Sequence, residues 1–147
     1  MTYKADRILK HLYQGGMPPP GRGLKDAGVD VLVLAAAEHQ DAAAYDDVLV
    51  ICAPGDDDKR RYRLDRFIDG WRDAAAQVAD HVRAGRNVLV TCMSGWNRSG
   101  LINALAVREL TGWSGKRIVA HIKSNRQYAL NNETFVNYIC ECFPDER

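Results

Sequence analysis

The chain has no long apolar run. Its longest wholly apolar stretch, Val31 to Ala37, falls far short of the ~20 residues that cross a bilayer, which excludes a membrane-spanning helix. It has almost no net charge: 20 Lys+Arg against 19 Asp+Glu leave +1 over 147 residues, so no global field draws it to nucleic acid or to a membrane surface. Cysteine and histidine are scarce, at four each. Neither Cys52, Cys92, Cys140 and Cys142 nor His11, His39, His81 and His121 fall at zinc-ligand spacing, so no metal and no other cofactor is expected. A chain of this length buries a sufficient core without disulfide staples; the thiols are expected to be reduced and the protein cytoplasmic. Met1 to Arg7 carries no signal-peptide core. Three of the five prolines stand together in Pro18-Pro19-Pro20, a stiff surface turn and not a linker. With no repeat and no compositional break, residues 1–147 are expected to form one domain that works as a monomer.

What is present is one dense stretch of chemistry, Thr91-Cys92-Met93-Ser94-Gly95-Trp96-Asn97-Arg98-Ser99-Gly100. Asn87-Val88-Leu89-Val90 leads into it as a buried strand, and the apolar run from Leu101 to Val107 leaves it as a helix. A loop so placed can turn its backbone N–H groups inward as an anion nest, with Met93, Ser94, Gly95, Trp96, Asn97 and Arg98 as the phosphate-binding residues. Arg98 adds a planar, permanent cation matched to two phosphate oxygens. Cys92 is the candidate nucleophile: cations and helix N-termini ionise a thiol, and the thiolate attacks phosphorus in line to give a phosphocysteine that water hydrolyses. Arg98 and the loop amides would hold the three equatorial oxygens. The Ser99 hydroxyl, one residue beyond the arginine, is placed to hydrogen-bond the sulfur and ease its departure. The chemistry requires no metal. Cysteine, any five residues, arginine is common by itself; the strand before it, Gly95, Ser99 and the helix behind it give it meaning.

The leaving oxygen needs a proton from an acid on a neighbouring loop. The segment from Cys52 to Arg61, with Asp56, Asp57 and Asp58, reads as a loop that can close over the cup. Strands are predicted at Ile8–Tyr13, Val29–Leu34, Val48–Ile51 and Val88–Thr91. Between them, Phe67, Trp71, Ala75, Val78 and Val82 form one helical stripe. Ser114 can cap a helix over Gly115–Lys123, and Asn132 a last helix carrying Phe135, Val136 and Ile139. The fold class is therefore α/β: a central, mostly parallel mixed sheet of about four to five strands flanked by helices. Trp96, at the lip of the loop, either stacks on a substrate ring or packs on a neighbouring loop. Lys59-Arg60-Arg61 reads as a solvated face, and Arg126 as an anchor of the fold.

Cys-Met-Ser-Gly-Trp-Asn-Arg-Ser resembles the signature loop of the cysteine-dependent protein tyrosine phosphatases, and the rest of the chain is similar to their small dual-specificity branch. Ile8 to Gly16 resembles that branch's opening strand and Leu-Tyr-x-Gly turn. Leu24 to Leu34 resembles its helix-Gly-strand segment, and Asn125-Arg126, Asn132 and Phe135 its closing Arg … Asn-x-x-Phe pattern. The likeness is weakest between Ala35 and Asp47. It implies a protein tyrosine phosphatase-like fold, no cofactor, and hydrolysis of phosphotyrosine, with phosphoserine or phosphothreonine, on a protein or peptide. It also places the acid six residues before the leucine that opens the next helix, which is Asp58 with Leu64 in that role; Asp57 is the alternative. Where the family has a histidine before the cysteine this chain has Thr91, which implies a thiol less readily ionised than the family's. Two other readings stay open. Gly95 to Ile102 is also similar to the loop of cysteine-dependent RNA 5′-triphosphatases of the capping type, with Trp96 placed to stack on the first base; nucleic acid is a partner only under that reading. The other is a catalytically weak pseudophosphatase that binds phosphopeptides.

Overall fold

The computed structural model describes residues 3–36 and 38–145; Met1, Thr2, Ala37, Glu146 and Arg147 lie outside the described residues. In chain order the elements are β1 Asp6–Leu9, β2 Leu12–Gly15, α1 Gly23–Asp26, β3 Val31–Leu34, β4 Leu49–Cys52, α2 Arg61–Arg83, β5 Val88–Thr91, α3 Arg98–Thr111, α4 Gly115–Asn125 and α5 Glu133–Cys142, with a 3₁₀ turn at Ala42–Ala44 before β4. They build one five-stranded sheet in the order β1-β2-β5-β3-β4. Only the β1–β2 pair is antiparallel; the other three pairs are parallel.

The sequence pattern over Ile8–Tyr13 reads as one strand, and the structure corrects it to a hairpin. His11 reverses the chain with φ 69°, and its carbonyl accepts from the Val88 N–H at 2.8 Å. Its ring nitrogen Nδ1 hydrogen-bonds Asn87 Oδ1 at 2.9 Å. Ile8 and Leu12 both reach the core from opposite arms of the hairpin, which is why the apolar pattern runs through the turn without a break.

β3 and β5 are buried along their whole length, because both faces of the sheet are covered. Val31, Val33, Val88 and Val90 pack with α2 to α5 in the larger cluster. Leu32, Leu34 and Leu89 point the other way, into a second cluster with Leu24, Val29 and Tyr45. α3 is the central helix, with Ser99 to Val107 all buried. In α2 the buried residues Leu64, Ile68, Trp71, Ala75 and Val78 recur at intervals of four and three. Of the expected stripe, Phe67 and Val82 lie at its half-buried margins. Each fully buried Leu or Ile contributes roughly 1.5–3 kcal/mol. Ser114 Oγ accepts from Arg117 N–H to cap α4, and Asn132 Oδ1 accepts from Thr134 and Phe135 N–H to cap α5.

Register sets where the site is. Gly15 lies opposite Thr91, Thr91 opposite Leu34, and Leu34 opposite Cys52, so the four parallel strands finish level. The loops that follow them all leave from one edge of the sheet, the edge at which open α/β sheets bind ligands.

Candidate active site

β5, the middle strand of that edge, passes directly into the loop from Cys92 to Asn97, and the loop into α3. The loop is held from outside by its backbone carbonyls. That of Met93 accepts from Met17 N–H at 3.2 Å, and that of Ser94 from Arg126 Nη2 at 3.0 Å. Gly95 O accepts from Gln14 Nε2 at 2.9 Å and from Arg126 Nε at 2.7 Å. Trp96 O accepts from Leu130 N–H at 3.0 Å, and Asn97 O from Leu101 N–H at 2.8 Å. A trans peptide points its N–H opposite to its C=O, and no described peptide is cis. The amides of Ser94, Gly95, Trp96, Asn97 and Arg98 therefore face the hollow of the loop, and the N-terminus of α3 adds its positive dipole end to the same place. Gly95 has φ +73°, and a Cβ there would stand 2.3 Å from the carbonyl carbon of Gly15, so only glycine fits. Gln14, fully buried, is itself fixed by Asn103, whose Nδ2 donates to Gln14 Oε1 at 3.1 Å.

Cys92 is 3% exposed, and its Sγ lies 3.4 Å from Ser99 Oγ, the pairing expected from the sequence. Arg98 Nη1 donates to Gly55 O at 3.2 Å and pairs with Glu38. Among the described residues Nε and Nη2 of Arg98 have no protein partner; together these two form the guanidinium edge that takes two phosphate oxygens in parallel. Burial opposes ionisation of Glu38, but hydrogen bonds from its own backbone N–H and from Arg98 outweigh it and hold the carboxyl below its usual range.

The acidic loop is docked where the sequence suggests one free to close. Trp71 Nε1 donates to Ala53 O at 2.8 Å, and the Trp71 ring lies so close to Gly55 that a Cβ there would meet it at 2.2 Å. Asp56 pairs with Arg63. Asp57 accepts from Asn97 Nδ2 and from Asn132 Nδ2, both at 2.9 Å. Asn132 Nδ2 also donates to Asp58 O at 3.1 Å, and Thr134 Oγ1 donates to Lys59 O. The Asp58 carboxylate points instead to Arg60, accepting from Nη2 at 2.7 Å, from the backbone N–H at 2.8 Å and from Nε at 3.0 Å. Those hydrogen bonds hold its carboxyl at about 2. The carboxylate that the sequence offers first as the acid is thus turned to Arg60 in this structure. Among the described residues Asp57 is the only one of the three aspartates hydrogen-bonded to the phosphate loop.

Of the two readings of Trp96, the structure shows the packing one. It packs on Tyr128, with ring centroids 5.5 Å apart, and it stays 38% exposed, with Met17 and Met93 also exposed on the same rim. Arg60 and Arg61 are committed to Asp58, and to Asp65 and Glu141. Arg126 anchors the fold, donating also from Nη1 to Asp6 at 2.9 Å. Glu38 and Gln40 carry no signal in the sequence that would single them out, and Gln14 is visible only as part of the Leu-Tyr-Gln-Gly turn. Among the described residues no group of three His, Cys, Asp or Glu is arranged to hold a metal ion.

No protein-family model matches the chain, and no curated protein does. Solved structures do. Human DUSP28 matches with a TM-score of 0.75 at 24% identity, over 93% of this chain and 96% of that one. Tk-PTP in its active form matches with a TM-score of 0.76 at 18% identity, over 96% and 99%. This is the dual-specificity phosphatase fold. The human tyrosine phosphatase-like serine/threonine/tyrosine-interacting protein shares it too, with a TM-score of 0.72 at 16% identity over 94% of each chain. At these identities the likeness is one of architecture, and the dual-specificity phosphatase fold hosts whatever chemistry its loops provide.

Proposed function

We propose that this chain is a phosphatase that hydrolyses phosphotyrosine, with phosphoserine or phosphothreonine, on a protein or peptide through a phosphocysteine on Cys92. The observation that carries the reading is the outward anchoring of four consecutive loop carbonyls, Met93 to Trp96, with Asn97 O opening the helix ladder of α3, which leaves five amides and the free edge of Arg98 for one tetrahedral dianion. The Cys92 thiolate attacks phosphorus opposite the leaving oxygen; the S–P bond forms as the P–O bond breaks. The amides and Arg98 bind the equatorial oxygens, where the transition state spreads its charge. The leaving oxygen takes a proton from Asp57, which we assign as the acid because it touches the loop beside Arg98. Water then attacks phosphorus and gives its proton to the same carboxylate. The S–P bond breaks, with Ser99 donating to the departing thiolate. The exposed Trp96 and Tyr128 rings, tilted 47° to each other, offer an apolar rim to an aryl ester. The reaction as proposed uses no metal.

The test is an assay of wild type and Cys92→Ser on an aryl phosphate, on phosphotyrosine and phosphothreonine peptides, and on 5′-triphosphate RNA. Hydrolysis of the aryl phosphate and the phosphotyrosine peptide, abolished by Cys92→Ser, is expected. Activity on RNA alone would move the assignment to an RNA 5′-triphosphatase. No hydrolysis with retained phosphopeptide binding would make the chain a binding module.

A further inference from the structure

We propose that Gln40 is a positioning residue that joins the two walls of the phosphate cup, a role that rests on the phosphatase reading above. Gln40 is 4% exposed and Thr91 fully buried. Gln40 Oε1 accepts from Ala36 N–H at 3.0 Å, and its Nε2 donates to Thr91 Oγ1 at 3.0 Å. The Thr91 hydroxyl in turn donates to Val33 O at 2.8 Å, and Thr91 O accepts from Ala35 N–H at 2.9 Å. The residue before the nucleophile is thus fastened through both its hydroxyl and its carbonyl to the end of β3, and the loop after β3 folds back to complete the link. That same loop presents Glu38 to Arg98. One buried amide therefore connects the strand end that aims Cys92 to the segment that holds the phosphate-binding arginine.

The chemistry makes this link matter. In-line attack requires sulfur, phosphorus and leaving oxygen in a row, and a misplacement near 1 Å costs up to about 10²-fold in rate. Without the Gln40 amide, the Ala36 N–H and the Thr91 oxygen lose their buried partner, and both walls are released at once. A side chain that merely filled space here would need neither of these bonds. Thr91 and Gln40 carry no titratable group, so they brace the nucleophile by geometry alone.

The test uses Gln40→Leu, which keeps the volume and removes both bonds, together with Thr91→Val, which removes the hydroxyl, and Thr91→Ser, which keeps it. Hydrolysis of an aryl phosphate and alkylation of Cys92 by iodoacetate are both followed, with thermal melting as a check on folding. Gln40→Leu and Thr91→Val are expected to lower kcat about tenfold with KM within about twofold, and to change the alkylation rate. Thr91→Ser should stay within about twofold of wild type, and the double variant should be no slower than the worse single, because both cut one link. Wild-type kcat and alkylation rates in both single variants, whatever their melting temperatures, would overturn the proposal; so would additive losses. If Gln40→Leu fails to fold, the contrast between Thr91→Val and Thr91→Ser decides. If the wild type hydrolyses no phosphoester, the phosphatase reading fails, while a split in alkylation rates still supports the positioning role and equal rates still refute it.

Discussion

The phosphate loop and the acidic loop leave the same edge of the sheet and touch one another, yet they differ in what their side chains are left to do. The phosphate loop is held through its carbonyls, by buried or half-buried donors such as Gln14 and Arg126. Its amides and the Cys92 thiol are left for chemistry, and the side chains of Met93 and Trp96 are left exposed. The acidic loop is held through its carbonyls as well, at Ala53, Gly55, Asp58 and Lys59, but its carboxylates are also tied, each to a different partner: Asp56 to Arg63, Asp57 to Asn97 and Asn132, Asp58 to Arg60. A loop fastened by its backbone alone keeps its reactive groups free; one fastened by its carboxylates as well has given each of them a partner. That difference explains why spacing alone points to Cys92 and Arg98 but not to one aspartate among three.

The comparison breaks if the backbone anchoring of the phosphate loop is dispensable. Gly95→Ala places a methyl against the backbone of Gly15 and Gly16 at a φ that alanine resists. The loop must move, and more than one amide donor is lost. Since a single such donor is worth about 10²–10³ in kcat, a loss beyond about 10³-fold is expected, with binding of inorganic phosphate lost as well. Steady-state kinetics and phosphate titration check it.

The acidic loop gives the next effect. Asp57→Asn should lower kcat by about 10²-fold on esters with poor leaving groups and less on activated aryl phosphates. It should also remove the fall in rate at high pH that marks deprotonation of the acid. Asp58→Asn should leave kcat within about threefold and the profile unchanged near neutral pH, because its carboxylate is turned to Arg60 and makes no hydrogen bond to the phosphate loop among the described residues. Reversed outcomes for the two variants would return the acid to Asp58.

The smallest effect is on stability. The Asp58 carboxyl is lowered from about 3.9 in the unfolded chain to about 2 in the folded one. Its contribution is therefore complete above about pH 4 and lost as pH falls through about 2. Wild type should melt slightly higher than Asp58→Asn at pH 7 and no higher at pH 2. The gap should shrink in salt, as exposed pairs do.

How much of this was legible in the sequence follows the range of the contacts. The strand, thiol, loop and helix order of residues 88–107 is local, and the continuous apolar runs of β3 and β5 announce a sheet covered on both faces. The two caps, Ser114 and Asn132, are read from one residue and its neighbours. The hairpin at His11 was hidden because its turn carries neither glycine nor proline, and the apolar positions on either side continue one another. Glu38 and Gln40 sit in the segment least like the family, and their partners Arg98 and Thr91 lie 60 and 51 residues away. The bond of Gln14 to Gly95 spans 81 residues. No spacing rule reaches that far, and only the level finish of four parallel strands brings those residues together.

The most direct measurement of the central claim is mass analysis of enzyme quenched during turnover of an aryl phosphate, using Ser99→Ala so that departure of the thiolate is slowed. A gain of about 80 daltons on the peptide that contains Cys92 is expected, as for a phosphoryl group carried on sulfur. Turnover that continues in Cys92→Ala, with no such adduct on the Cys92 peptide of Ser99→Ala, would contradict it.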